Sequence, residues 1–281
     1  MKFEQLSGAG NHFLLFDARP DSAHAEPTSG RWSPDGAAAR EWCAAAAKEG
    51  ALAPDGVLVL MESEVAMARL VIWNSDGSLA AACGNGLRCV GWLLLRESGQ
   101  REVLIETHTG TRWVRGETSE RGAERLEAEL GPVTVEALDD SLALLEGERE
   151  AWKGDVGNPH CVFLVDTVNS KLFASRGLEL QVDPSFPGGV NVGYLAEESG
   201  EWKLRVYERG AGETGACGTG AAAAAAVLRA AFGLPLPLSL ALPAGRLTVT
   251  ETAEGGLSVS GGVEHRGTLV VGALSSESRD I

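Results

Sequence analysis

One short phrase occurs twice in this chain, and the repetition constrains what the chain can fold into more than any other feature. The first copy is Ala82-Cys83-Gly84-Asn85-Gly86; the second is Ala216-Cys217-Gly218-Thr219-Gly220. Each puts a cysteine in a glycine-rich turn and then opens a helix-like run, 87–96 in the first case and 221–232 in the second. A helix start presents unpaired N–H groups and a partial positive charge. A thiolate is favoured there, and an anion can bind the same N–H groups. Two such settings in one chain imply a pair of thiols serving one ligand.

The likeness extends upstream. Asn74 stands nine residues before Cys83, and Glu208 nine before Cys217. Both follow a strand-like run, 68–73 and 203–207, and both open a polar, turn-rich loop. A second echo pairs 10–17, beginning Gly10-Asn11-His12, with 157–166, beginning Gly157-Asn158-Pro159-His160. The offsets between copies, 147 for the asparagines and 134 for the cysteines, preserve order while loop lengths differ. A repeat of that period means two similar domains rather than a solenoid. The expected boundaries are 1–127 plus 264–281 for the half carrying Cys83, and 128–263 for the half carrying Cys217.

Along the chain, 1–20 reads as a loop bearing Asn11 followed by a strand, and 21–33 as a polar, flexible loop. Ser33-Pro34 reads as the cap and first turn of a helix ending at Gly50. Strands are expected at 57–61, 67–73, 103–107, 113–115, 125–130, 161–165, 190–195, 203–207, 247–250, 257–260 and 268–271. Gly99 and Gly233 should stop the two helices that begin at the cysteines. The alanine run 221–231 combines high helix propensity with a girth small enough to be packed on every side. The fold class is therefore α+β. Each half is a mixed or antiparallel, barrel-like sheet around a central helix, with the active site expected in the cleft between the halves. So many strands per helix exclude a regular doubly wound pattern.

Composition narrows the function classes. A net charge of −15 argues against nucleic acid, whose phosphates need a basic surface. No uncharged apolar run is long enough to span a membrane, and Met1-Lys2-Phe3-Glu4-Gln5 carries no signal-peptide pattern. Five cysteines without a CxxC pair fit neither a disulfide framework nor a metal cluster, so a reducing, cytoplasmic setting is expected. Cys43, Cys89 and Cys161 lie in apolar runs and read as buried structural residues.

Two thiols at helix starts have a definite use. A thiol with pKa near 8.5 can be drawn toward neutrality at a helix start. A thiolate on one face of a carbon takes a proton and a thiol on the other face returns one, which inverts the centre by general acid–base catalysis. The carbanion α to a carboxylate becomes an enediolate, stabilised by N–H groups at Gly84, Asn85, Gly218 and Thr219. No pyridoxal-lysine context, dinucleotide fingerprint or metal-ligand cluster is apparent, so no cofactor and no metal are expected. Competing readings are a non-catalytic amino-acid-binding protein and a redox sensor joining the two cysteines.

The stretches Gly8-Ala9-Gly10-Asn11, Asn74 to Ser78, Cys83 to Cys89, Gly157 to Cys161, Asn191-Val192-Gly193 and Arg205 to Gly220 follow one another as in a known family. On them the chain resembles the diaminopimelate epimerases, cofactor-independent two-cysteine enzymes. The resemblance implies conversion of LL-2,6-diaminopimelate to the meso form, on the route to lysine and peptidoglycan. It also implies a homodimer, and within each chain a fold of two pseudo-symmetric halves with the C-terminal strand returning to the first half. Carried onto this chain, it makes Cys83 and Cys217 the acid–base pair. Asn11, Asn74, Asn158, Asn191, Glu208 and Arg209 would hold the far amino acid end and the reacting α-amino group. Gly84-Asn85 and Gly218-Thr219 would hold the reacting carboxylate, and His160 and Glu208 would tune the thiols or receive their protons. The chain departs from the family pattern at His12, in the loop 51–56 and at 107–110. The alternative on the same scaffold is a racemase of another amino acid, such as proline or histidine.

Overall fold

The computed structural model describes residues 1–20, 34–80, 83–138 and 142–271. The expected flexible loop at 21–33, with the proposed cap Ser33, lies outside the described residues. The chain divides into two compact units, 1–126 with 262–281, and 127–261.

In the first unit the order is β1 (Lys2–Gly8), β2 (Asn11–Asp17), α1 (Gly36–Lys48), β3 (Gly56–Met61), β4 (Ala68–Asn74), α2 (Gly84–Ser98), β5 (Glu102–Thr107), β6 (Gly110–Gly116) and β7 (Gly122–Gly131). β7 crosses into the second unit, which continues with β8 (Thr134–Ala137), β9 (Glu148–Asp155), β10 (Pro159–Val165), α3 (Phe173–Leu180), β11 (Asn191–Glu198), β12 (Glu201–Glu208), β13 (Gly212–Thr214), α4 (Gly218–Phe232), β14 (Leu238–Leu242) and β15 (Gly245–Glu251). β16 (Leu257–Val270) begins in the second unit and ends in the first.

Strands of the first unit follow the order β1 to β7 and then β16, and the β1–β16 pairing closes an eight-stranded barrel. The barrel is mixed: β2 runs parallel to β3 with α1 between them, and β4 parallel to β5 with α2 between them. The second unit repeats this wiring. β10 and β11 are parallel across α3, β12 and β14 are parallel across α4, and β9–β10, β11–β12 and β14–β15 are antiparallel. The duplication read from two cysteine phrases is thus matched in the order and sense of these strands, with β13, paired to β12, as an addition in the second unit.

Each unit has one enclosed helix and one outer helix. In α2 every residue from Gly84 to Leu95 is buried, and in α4 Ala221 to Ala225 are wholly so. The alanines let β8 to β12 and β15 approach α4 from several sides. The enclosed helices stop as expected, at Gly99 and Gly233 in left-handed conformation with φ of 68° and 66°. The outer helix α1 presses Trp42 against Phe3 and Phe16, with ring centroids 5.1 and 5.5 Å away. The outer helix α3 puts Phe173 5.0 Å from Tyr194.

Several expectations need correction. Residues 2–8 form β1 rather than a loop; its burial on both faces hides the alternation that marks a strand. Ala9 and Gly10, with φ of 48° and 89°, make the tight turn into β2. Helix α1 is capped by Asp35, whose carboxylate accepts the Ala38 N–H at 2.9 Å, and Pro34 precedes the helix. The two segments expected at 257–260 and 268–271 are one long strand that runs through Gly261-Gly262. β8, β9, β13, β14 and α3 were not expected at all. No helix among the described residues is long and apolar enough to cross a membrane.

Candidate active site

Sheet direction gathers the candidate residues at one end of each unit. β2 and β3 are parallel and β4 is antiparallel to β3, so the starts of β2 and β3 and the end of β4 share an edge. Asn11 opens β2, Asp55-Gly56 open β3, and Asn74, which pairs with Gly56, closes β4. Cys83 stands at the start of α2, the helix the same barrel encloses. The second unit has the same arrangement: Asn158 precedes β10, Asn191 opens β11 beside His160, Glu208 closes β12, and Cys217 starts α4. Asn11 therefore corresponds to Asn158, Asn74 to Glu208 and Cys83 to Cys217.

Both cysteines are helix N-caps in extended conformation. Cys83 Sγ accepts the Gly86 N–H at 3.3 Å, and Cys217 Sγ accepts the Gly220 N–H at 3.4 Å. Sulfur thus fills the place usually taken by a serine or aspartate oxygen. Cys83 is half-buried and Cys217 buried. The helix start does not draw Cys217 toward neutrality as expected. Burial pushes its thiol well above the usual range, and the Glu208 carboxylate, hydrogen-bonded to it, pushes the same way. The contacts from Thr219 and the Gly220 N–H oppose these two without overcoming them. Cys217 is accordingly held as a thiol. Cys43, Cys89 and Cys161 are buried and free, with Cys43 and Cys161 pushed up by burial to about 12, as suits structural residues.

Around Cys217 the polar groups interlock. Thr219 Oγ1 lies 3.4 Å from the sulfur and 3.0 Å from His160 Nε2, and it accepts from Asn158 Nδ2 at 3.3 Å. His160 Nε2 also lies 3.2 Å from Asn158 Oδ1. Burial and then the Arg209 charge hold His160 down at about 3, so the ring is neutral. Thr214 Oγ1 donates to Glu208 Oε1 at 2.5 Å. Asn191 Oδ1 accepts the Arg209 N–H at 3.0 Å, and its Nδ2 donates to the Pro159 carbonyl at 2.8 Å. It thereby ties the exposed Arg209 to the start of β10.

In the first unit, Asn85 Nδ2 donates to Asn11 Oδ1 at 2.6 Å and Arg88 Nη2 donates to Asn85 Oδ1 at 2.5 Å. Asn11 Nδ2 donates to Asp55 Oδ2 at 3.3 Å, and Asn74 Nδ2 to Ser78 Oγ at 2.9 Å. Arg88, Asp55, Thr214 and Ser78 were not singled out from the sequence. Only Arg88 carries a local signal, as a lone charge inside the apolar run 87–95.

The family model for diaminopimelate epimerase matches residues 8–135 and 154–265. A diaminopimelate epimerase of Phenylobacterium zucineum is 35% identical over 285 residues, spanning 95% of this chain and 97% of that one. That of Methylocella silvestris is 36% identical over 261 residues, spanning 87% and 85%. Among solved structures, a predicted epimerase from Pseudomonas aeruginosa superposes with a TM-score of 0.69 at 18% identity, covering 98% of this chain and 99% of that one. A probable proline racemase from Agrobacterium radiobacter superposes at 0.67 with 20% identity, covering 99% and 94%. At such identities these two structures speak for the fold alone.

Proposed function

The chain belongs to the diaminopimelate epimerase family of isomerases, and from that premise we propose that it epimerises LL-2,6-diaminopimelate to the meso form with Cys83 and Cys217 as its two bases. The observation that carries the reading is the equivalence of the two cysteines. Each caps the enclosed helix of its unit, and each holds sulfur on the N–H three residues on.

The substrate carboxylate takes the first-turn N–H groups of Gly84-Asn85 and Gly218-Thr219, ahead of the N–H groups already bonded to sulfur. There the enediolate charge develops against two helix starts. Cys217, held as a thiol, is the acid of the first half-cycle, so the base is Cys83. The Cys83 sulfur takes the α-proton as the C–H pair moves into the enediolate. The Cys217 thiol gives its proton to the opposite face, and its S–H pair stays on sulfur. Substrate and product are isomers, so no oxidant or further reactant is needed. The cycle leaves the two protonation states exchanged: solvent takes the proton from Cys83, and the Glu208 carboxylate, bonded to Cys217, takes up a proton from solvent and passes it to the Cys217 sulfur. Asn11, Asn74, Asn158, Asn191 and Arg209 hold the non-reacting end and the amino group, with the Arg209 fork suited to a carboxylate.

The test is solvent deuterium incorporation at the α-carbon of LL-diaminopimelate, with L-proline, trans-4-hydroxy-L-proline and L-histidine run beside it. Cys83→Ala and Cys217→Ala should each lower epimerisation by about 100-fold or more. Full activity in either variant, or faster exchange on a single-centre amino acid, refutes the reading.

A further inference from the structure

Three hydrogen bonds of the first unit run in one direction. Arg88 Nη2 donates to Asn85 Oδ1, Asn85 Nδ2 donates to Asn11 Oδ1, and Asn11 Nδ2 donates to Asp55 Oδ2, at 2.5, 2.6 and 3.3 Å. An asparagine amide can be turned half about to exchange donor and acceptor, so two in contact have no inherent direction. The ends of this chain supply one. A guanidinium has only donors, and an ionised carboxylate only acceptors. Asn85 must therefore turn its oxygen to Arg88, which leaves its NH2 for Asn11. Asn11 must answer with oxygen, which leaves its own NH2 for Asp55.

The ends are themselves fixed. Arg88 is fully buried and makes a second bond to the Gly84 carbonyl at 3.4 Å. Among the described residues no carboxylate pairs with it and its Nε finds no acceptor. Burial draws it down only to about 10, so it stays charged at neutral pH. Asp55 Oδ2 is anchored by the His12 N–H at 2.7 Å, and the Asp55 carbonyl accepts the Ser75 N–H at 2.9 Å. Asn85 is 1% and Asn11 8% exposed, so water cannot readily replace a bond lost along the chain. A buried cation with no ion-pair partner is costly, and the directed chain gives it a use.

We propose that Arg88 and Asp55 are positioning residues that set, with the Asn85 amide as relay, the polarity in which the Asn11 amide meets the substrate. The proposal rests on the functional reading above, in which Asn11 binds the substrate. Groups held by such amides are bound alike in ground and transition state, so the effect falls on KM more than on kcat.

The test compares Asp55→Asn, Arg88→Gln, Arg88→Lys and the Asp55→Asn/Arg88→Gln double variant, with Cys83→Ala as the control for the reading beneath. Asparagine and glutamine offer either polarity at the chain ends, but the end left intact still sets the direction, so each single variant should raise KM for LL-diaminopimelate by no more than about twofold with kcat within about threefold. Arg88→Lys, still donor-only, should stay within about threefold of the parent. The double variant frees both ends and should raise KM about tenfold, more than the product of the two single effects. A double variant whose KM is no higher than that product overturns the proposal. If Arg88→Gln fails to fold, Asp55→Lys decides the matter: Asp55 is exposed, and a donor-only group there opposes the direction set by Arg88, so KM should rise about tenfold and an unchanged KM overturns the proposal. Inactive Cys83→Ala beside a normal double variant refutes this inference alone. Active Cys83→Ala removes the reading and the inference with it.

Discussion

Cys217 and His160 meet through a shared hydroxyl: Thr219 Oγ1 lies 3.4 Å from the sulfur and 3.0 Å from the imidazole Nε2. Any influence of the histidine on the thiol therefore passes through Thr219, while Glu208 acts on the thiol directly. This difference orders the predictions for the second unit.

Thr219→Val keeps the shape and removes the shared oxygen. His160 Nε2 keeps its contact with Asn158 Oδ1, and the Asn158 amide loses the Thr219 oxygen as acceptor. The variant should lose about 1–2 kcal/mol of stability and turn over more slowly, whereas Thr219→Ser should behave as the parent. Urea unfolding and exchange kinetics on the two variants check this. Equal values for serine and valine would mean that the hydroxyl has no part in the site.

Removing the Glu208 charge should move two observables in opposite directions. The carboxylate helps keep Cys217 protonated, so Glu208→Gln lowers the thiol pKa and speeds iodoacetamide alkylation of Cys217 at a given pH. Turnover should nevertheless fall, by about 100-fold, because the group that returns the proton is gone. Peptide mass spectrometry follows the alkylation site by site. Slower alkylation in the variant would contradict the assigned direction.

The depressed His160 predicts an acid limb in stability. The unfolded chain takes up a proton near 6.5, while the folded protein resists until about 3. Within that window the unfolded state binds more protons, so stability is complete above about 6.5 and is lost as pH falls, by about 1.4 kcal/mol per unit. Between pH 7.5 and 5 the parent should lose about 2 kcal/mol more than His160→Gln. Urea midpoints of both proteins at the two pH values give the comparison. Parallel losses would place the acid sensitivity elsewhere.

Much of this was legible in the sequence, for local reasons. A cysteine followed by Gly-x-Gly and a run ending at Gly99 or Gly233 contains its own cap and its own stop, so α2 and α4 could be read without tertiary knowledge. β9, with sequence Glu-Arg-Glu-Ala-Trp-Lys-Gly-Asp, could not, since only pairing with β8 and β10 makes it a strand. α3 has no side-chain cap bond and contains Gly177, so no local signal marks it. Arg88 and Asp55 escaped because their partners lie 3 and 44 residues away and what links them passes through two amides. The high pKa of Cys217 escaped because burial, which outweighs the helix start, cannot be seen in a one-dimensional pattern.

The third residue after each cysteine offers a test that needs no assumption about chemistry. A methyl group at Gly86 would meet Leu58 Cδ2 at 2.8 Å, the tip of a flexible side chain, with Cys83 Sγ at 3.5 Å. At Gly220 it would meet Val206 Cγ2 at 2.9 Å, on a stiff β-branched residue, with Cys217 Cβ at 3.3 Å and Sγ at 3.4 Å. Both positions are helical without positive φ, so alanine gains about 1 kcal/mol of helix propensity at each. Overpacking costs about 1–3 kcal/mol and should prevail only where the neighbour cannot yield. Gly86→Ala should therefore be close to neutral in stability. Gly220→Ala should lose about 1–2 kcal/mol and shift the crowded sulfur, lowering turnover. Adding Val206→Ala to Gly220→Ala should open the space and recover part of both losses. If it recovers neither, the close approach of β12 to the start of α4 is not what requires glycine at 220.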